Sequence, residues 1–234
     1  MTNEVINILC ATDNRYAPYC GIMLTSLLEN NKHNMIDIYI LGGNDISQEN
    51  VEKFKHLESI YNAHVDVITI DDNLLSTCPV NKDTNITLAT YYRLLAPQIL
   101  PDSVHKLIYL DCDMIVAGDI SPIWDTNLDG KAIAGVVDCE AYNESIYQRL
   151  GDYTLKRDYY NAGMTVYNMD YWIENNIAEE AFKYIEQNSK KLYWMDQDVL
   201  NVLLVDEKEL LPIQFNFQTL FYLPRNWSAY NVEY

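Results

Sequence analysis

Residues 106–116 read KLIYLDCDMIV, an apolar run broken by two aspartates that stand one residue apart. In an extended chain residues i and i+2 point to the same side. Continued strand geometry would therefore send Asp111 and Asp113 one way and Cys112 the other, with both carboxylates converging at the strand's carboxyl end. Carboxylates so close repel and raise one another's pKa unless a cation sits between them, and Mn2+ or Mg2+ takes oxygen ligands of this kind. The plain alternative is a pair of loop aspartates capping the next helix. The apolar context favours a metal site on Asp111 and Asp113.

Composition sharpens that choice. Asp and Glu number 34 against 16 Lys and Arg, a net charge of -18. A general nucleic-acid binder is disfavoured, because phosphate backbones are held by clustered basic residues. An anionic small substrate would also be repelled, and a divalent cation is the natural intermediary for one. At 234 residues with 49% hydrophobic residues, the chain can bury one full core, so residues 1–234 are expected to form a single domain. No apolar run approaches the roughly 20 residues of a membrane span, and acidic Glu4 sits where a signal peptide would want a basic start. A cytoplasmic protein without a membrane span is the expectation. Cys10, Cys20, Cys78, Cys112 and Cys139 are scattered without a C-x-x-C pair, which argues against a disulfide framework or a structural zinc site and for small buried side chains.

The elements that must position the aspartates alternate along the chain. VINILCAT at 5–12, MIDIYILGG at 35–43 and HVDVITI at 64–70 are strand-like, and PYCGIMLTSLLENN at 18–31 has helical spacing. Ser47 is a candidate N-cap for a helix whose face carries Val51, Phe54, Leu57 and Ile60. After a polar segment from 71 to 87, TLATYYRLLAPQIL predicts a helix ending near Pro97. This β-α-β-α-β order predicts an α/β fold, a single Rossmann-like domain with a mostly parallel central sheet, whose ligands sit at the carboxyl ends of strands.

By itself D-x-D fits two chemistries. A haloacid-dehalogenase-like phosphatase uses the first aspartate as a nucleophile, but its motif opens the chain, whereas DCDMI follows three strands and lacks the expected fifth residue. A metal-dependent glycosyltransferase uses the pair to hold a divalent ion on the diphosphate of a nucleotide sugar. The remaining segments resemble the second. ILCATDNRYAPY, TYYRLLAPQIL, KLIYLDCDMIVAGDISPIWDTNLDGKAIAGVVD, YYNAGMTVYNMDYW, WMDQDVLNVLL and QFNFQ, taken in order, are similar to glycosyltransferase family 8, the retaining group that includes glycogenin and bacterial lipopolysaccharide galactosyl- and glucosyltransferases.

That resemblance implies a glycosyltransferase A type fold and transfer of a hexose from a UDP-sugar donor to a glycan or lipopolysaccharide acceptor, with Mn2+ or Mg2+ as cofactor. It also implies roles at matching positions. The Ala11 backbone and the Asp13 carboxylate correspond to uracil-binding positions, with Tyr16 near the base; a helix N-cap by Asp13 is the less favoured alternative. Arg15 stands where close family members have Asn, which leaves no counterpart to that ribose contact. Arg93 corresponds to the arginine that reaches the donor sugar and phosphates and pairs with acidic neighbours. Asp111, Cys112 and Asp113 form the diphosphate and metal segment. Asp138 and Asp196 would bind hydroxyls of the donor sugar, Asn161 and Ala162 would approach it closely beside Gly163, and Gln197 would lie under the anomeric carbon. Asp138, Asn161, Asp196 and Gln197 are thus the catalytic candidates, while Asp198 reads as a favourable charge at a helix N-terminus.

The family continues past QFNF with a segment of the type H-x-x-G-x-x-K-P-W, whose His completes the metal site and whose Lys grips the diphosphate; this chain stops at Tyr234, so a truncated catalytic domain is expected. Without that cover Phe215, Phe217, Phe221, Tyr222 and Trp227 would favour self-association into a homo-oligomer. A protein that binds a UDP-sugar without turning it over is the alternative from another functional class.

Overall fold

Strand β1 (Ile6–Thr12) is the centre from which the sheet grows, because its alternate side chains serve two apolar layers: Leu9 packs into one, Ile8 and Cys10 into the other. Each fully buried aliphatic side chain of this kind is worth about 1.5–3 kcal/mol, which fixes the strand's register against its neighbours. The computed structural model describes residues 4–80, 86–151 and 158–222.

Helix α1 (Ala17–Asn30), strand β2 (Ile36–Gly42), helix α2 (Gln48–His56) and strand β3 (Ala63–Thr69) follow β1. A 3-10 helix (Leu88–Leu95) then leads into α3 (Ala96–Ile99), β4 (Lys106–Leu110), α4 (Ser121–Trp124), β5 (Ile133–Val137) and α5 (Glu144–Leu150). The chain continues through β6 (Tyr160–Asn168), α6 (Met169–Glu174), α7 (Ile177–Asn188), α8 (Met195–Leu203) and β7 (Lys208–Leu211). The sheet order is β3-β2-β1-β4-β6-β5-β7. Only β6 runs against its neighbours, between β4 and β5, so the expected mostly parallel α/β sheet is present. Helices α1, α2 and α4 cover one face through Met23, Leu24, Phe54 and Trp124. The 3-10 helix, α6, α7 and α8 cover the other through Tyr91, Leu94, Trp172, Ile185 and Leu200.

Several local expectations shift. The segment around Pro97 does not stop there: the 3-10 helix passes into α3, with Pro97 in α3's first turn, where a missing N–H costs nothing. Ser47 caps α2 as expected, its hydroxyl accepting from the Asn50 N–H at 3.3 Å. Ile60 lies off the expected face and is 58% exposed, because α2 tightens into a 3-10 turn at Leu57–Ser59 and rotates it away. Among the C-terminal aromatics, Phe217 and Tyr222 are exposed but Phe221 is buried, against expectation; Trp227 lies outside the described residues. No described helix is long and apolar enough to cross a membrane.

Candidate functional site

The site opens at the carboxyl ends of β1 and β4. The extended geometry expected through Asp111, Cys112 and Asp113 stops at Leu110, and a turn follows. Asp111 keeps one sheet contact, its N–H donating to the Gly163 carbonyl at 2.8 Å. Cys112 turns inward and its thiol donates to the Ala11 carbonyl at 3.1 Å, tying this turn to the end of β1. A tight turn, rather than strand alternation, therefore brings the Asp111 and Asp113 side chains to one cavity. Burial, with the Asp111 charge second, raises the Asp113 carboxyl above its ordinary range.

Thr87, Thr90 and Arg93 are spaced by three, and a 3-10 helix of 3.0 residues per turn stacks such positions on one edge. Each faces a carboxylate. Thr87 donates to Asp13 Oδ2 at 3.2 Å, and the Thr90 hydroxyl donates to Asp196 Oδ1. The buried Arg93 guanidinium donates through Nη2 to Asp111 Oδ1 at 2.7 Å and through Nη1 to the Ala162 carbonyl at 2.5 Å. Its Nε lies 3.0 Å from Asp196 Oδ2, an ionic contact off the hydrogen-bonding direction, and its carbon sits 3.8 Å above the Tyr109 ring. Burial pushes the Asp196 carboxyl up to about 6, against the pull of Arg93 and the Thr90 hydroxyl.

Gln197 and Asp138 meet although they come from different elements. Gln197 Nε2 donates to Asp138 Oδ2 at 3.1 Å, while its Oε1 accepts the Ala162 N–H at 2.9 Å. A carboxylate only accepts and an amide N–H only donates, so these partners settle which end of the Gln197 amide points where. Asn161 Nδ2 also donates to Asp138 Oδ2, at 2.9 Å, and Asn161 Oδ1 accepts from the Gly163 N–H and from Asn216 Nδ2. Asp138 thus stands behind the cavity wall, with Asn161 and Gln197 facing in. Gly163 lies within β6, and what requires glycine there is the close approach of Asp111 and Asn161.

Asp13 sits ahead of α1 rather than at its cap, since the N-cap position is Tyr16 and not Asp13 as the cap reading has it. Its Oδ1 accepts the Tyr16 N–H at 2.8 Å at the start of α1, and its other oxygen faces the cavity beside Thr87, Tyr16 and Ala11. The cavity holds about 540 Å3 and is lined by the carboxylates of Asp13, Asp111, Asp113 and Asp196 against the single guanidinium of Arg93. This imbalance attracts cations. Among the described residues no cluster of three or more His, Cys, Asp or Glu side chains could hold a metal. Asp111 Oδ2 and the Asp113 carboxylate, with one Asp111 oxygen taken by Arg93, suit a hard divalent ion that draws its other ligands from water and a bound phosphate.

The sequence reading missed Thr87, Thr90, Tyr109 and Trp194 as lining residues, and Asn216 as the support of Asn161. The three-residue spacing of Thr87, Thr90 and Arg93 was the available signal.

Fold and site together define a glycosyltransferase A type domain. The galactosyltransferase LgtC, solved with donor and acceptor sugar analogues, superposes with a TM-score of 0.81 over 89% of this chain and 74% of its own, at 24% identity. The chain belongs to glycosyl transferase family 8, whose sequence model matches residues 7–233. It is 28% identical to general stress protein A of Bacillus subtilis, over 94% of this chain and 77% of that protein. It is 30% identical to a lipopolysaccharide 1,2-glucosyltransferase of Escherichia coli K12, over 92% of this chain and 63% of that one. It is 29% identical to a lipopolysaccharide 1,3-galactosyltransferase of Salmonella typhimurium, over 92% and 64%. The chain therefore spans just under two thirds of the length of these two lipopolysaccharide enzymes.

Proposed function

We propose that this chain is a retaining hexosyltransferase of the cytoplasm. It moves glucose or galactose from a UDP-sugar to an acceptor hydroxyl of a lipopolysaccharide or other glycan, with Mn2+ or Mg2+ on Asp111 and Asp113. The observation that carries this reading is the ring of four carboxylates and one guanidinium around a cavity at the strand ends. An anionic donor enters such a cavity only with a cation.

Asp13, with lone pairs left beyond its two hydrogen bonds, accepts the imide N–H of uracil, and Tyr16 flanks the base. When bound, the metal neutralises the charge that develops on the departing diphosphate. Arg93 holds Asp111 and Asp196 in place rather than reaching out, since its nitrogens are committed to them and to Ala162. Asp196 and Asn161 meet hydroxyls of the donor sugar, and Asp138 braces Asn161 and Gln197 behind them. Gln197 Oε1 retains a lone pair after accepting from Ala162 and stabilises positive charge at the anomeric carbon. The acceptor enters on the leaving-group face, which gives retention without a covalent intermediate.

Thermal melts with UDP in the presence and absence of manganese, and UDP release from UDP-glucose and UDP-galactose, test the reading. At a hundredfold excess over Kd, binding adds about 2.7 kcal/mol. Asp111→Asn and Asp113→Asn should each lose the manganese-dependent shift while remaining folded. An undiminished manganese response in either variant refutes the metal assignment, and binding without UDP release makes the chain a non-catalytic UDP-sugar binder.

A further inference from the structure

Helix α8 begins in a strained way. Met195 has φ 44, in the left-handed region, and such a residue costs about 1–3 kcal/mol unless its surroundings hold it. The next two residues, Asp196 and Gln197, are the ones that face the cavity. What holds this turn is Asp198, whose side chain is fully buried. Its Oδ2 accepts the Tyr193 N–H at 2.7 Å and the Trp194 N–H at 2.9 Å, capturing the two amides just before the strained residue. Arg149 grips the same carboxylate in a fork, Nη1 to Oδ2 at 2.5 Å and Nη2 to Oδ1 at 3.0 Å, and Nη1 also donates to the Lys191 carbonyl. The Tyr159 hydroxyl donates to Oδ1 at 2.6 Å. Five donors occupy a carboxylate that has about four lone-pair sites, so nothing is left for a ligand.

Both side-chain partners lead to the other arm of the site. Arg149 sits near the end of α5, and α5 is fastened to the turn after Asp138 by the Tyr147 hydroxyl, which donates to the Ala141 carbonyl. Tyr159 is linked more directly, since its own carbonyl accepts the Asp138 N–H at 2.8 Å. Asp138 and Gln197 are hydrogen-bonded to each other, yet they reach that contact from β5 and α8. The joint between the two elements is a small separate core of Ala141, Ile146, Tyr147, Leu150 and Tyr159, with Asp198 at its polar edge. Burial first, and the Asp198 charge second, hold the Tyr159 phenol protonated, so it remains a donor.

We propose that Asp198 is a positioning residue. Through Arg149 and Tyr159 it locks the arm that carries Asp196 and Gln197 against the arm that carries Asp138, and so fixes the alignment of the donor-sugar end of the site. Its catalytic consequence rests on the transferase reading above; its structural consequence does not. Misplacing a reacting group by about 1 Å costs on the order of a hundredfold in rate, whereas loosening one joint costs less.

Tyr159→Phe removes one hydroxyl and no volume, and Asp198→Asn removes the charge. Manganese-dependent UDP binding, kcat and KM for UDP release, and amide hydrogen exchange are measured on both variants and the parent. Tyr159→Phe should lower kcat about tenfold and Asp198→Asn more, with the UDP Kd unchanged within about twofold, because the displaced groups face the sugar. Exchange should accelerate at Ala162 and Glu140, whose N–H groups donate to Gln197 and Asp138, while β1, β2 and β4 keep parental protection. Asp198→Asn failing to fold leaves Tyr159→Phe to decide. Folded Tyr159→Phe with parental exchange at those two amides and parental kcat overturns the proposal. A parent that neither binds nor cleaves a UDP-sugar overturns the transferase reading instead, and the exchange measurement then decides the positioning role alone.

Discussion

Replacing Gly163 with alanine places one methyl group against Asp111, a carboxylate proposed to hold the metal, and tests the site without changing either Asp111 or Asp113. A Cβ built there lies 3.0 Å from Asp111 Oδ2 and 2.9 Å from Asn161 Oδ1, where ordinary contact begins at 3.4 Å. Asp111 must then retreat by roughly 0.4 Å, a distance over which carbon contacts turn from attractive to repulsive. It has nowhere to go without cost, since its other oxygen is held by Arg93 at 2.7 Å and its N–H by the Gly163 carbonyl at 2.8 Å. Asn161 is pinned as well, by the Gly163 N–H at 3.0 Å and Asn216 at 2.8 Å. Overpacking a site this constrained costs about 1–3 kcal/mol of stability. We expect manganese-dependent UDP binding to weaken by about tenfold, or about 1.4 kcal/mol, in a calorimetric titration. Magnesium should suffer more than manganese, because Mg2+ demands near-ideal octahedral geometry. Gly118→Ala is the control: it lies in the loop after the same turn, and its Cβ would meet nothing within 4 Å. A Gly163→Ala protein that melts with the parent and binds UDP and manganese equally tightly would refute the claim that close backbone approach shapes this site.

Arg93→Lys should be far from conservative, because one ammonium replaces three separate contacts and leaves Asp196 under-compensated in a buried site. The expected loss is about 3 kcal/mol, read as a drop of several degrees in melting temperature; a loss below about 1 kcal/mol would contradict the ion-pair account. Asp196, raised to about 6 from 3.8, binds its proton more tightly folded than unfolded, so its contribution is full below pH 4 and fades as pH rises through 6. That slope amounts to roughly 3 kcal/mol over the window and should vanish in Asp196→Asn, which chemical denaturation at pH 4, 5, 6 and 7 measures; an unchanged slope in the variant would assign it to other groups.

Much of this protein was legible in its sequence because the signals are local. Short apolar, strand-like runs mark β1 and β2, alternation every two residues marks β3, the Ser47 side chain announces the start of α2, and the break from apolar residues to Asp111 and Asp113 marks the end of β4. The residues that came together at the cavity were also nominated, Asp111 and Asp113 by type and spacing, and Asp13, Arg93, Asn161, Asp196 and Gln197 by the family resemblance; all of them line it. Their partners were not. Whether Thr87, Thr90 and Arg93 share an edge depends on a 3.0-residue rather than a 3.6-residue turn, a difference that apolar spacing in so short a segment does not resolve. Asp198 looked like one more acidic residue in a helix's first turn, since nothing near it in sequence indicates that Arg149, 49 residues earlier, reaches its carboxylate. Asp138 and Gln197 are 59 residues apart, and their contact exists because β6 inserts antiparallel between β4 and β5 and carries Asn161 to both. Residue types and local periods determined which chemistry this chain can carry; strand order and the turn that ends β4 decided which carboxylates are braced, which are neutralised by Arg93, and which remain open to a cation, because those are contacts between segments that only packing brings within hydrogen-bonding distance.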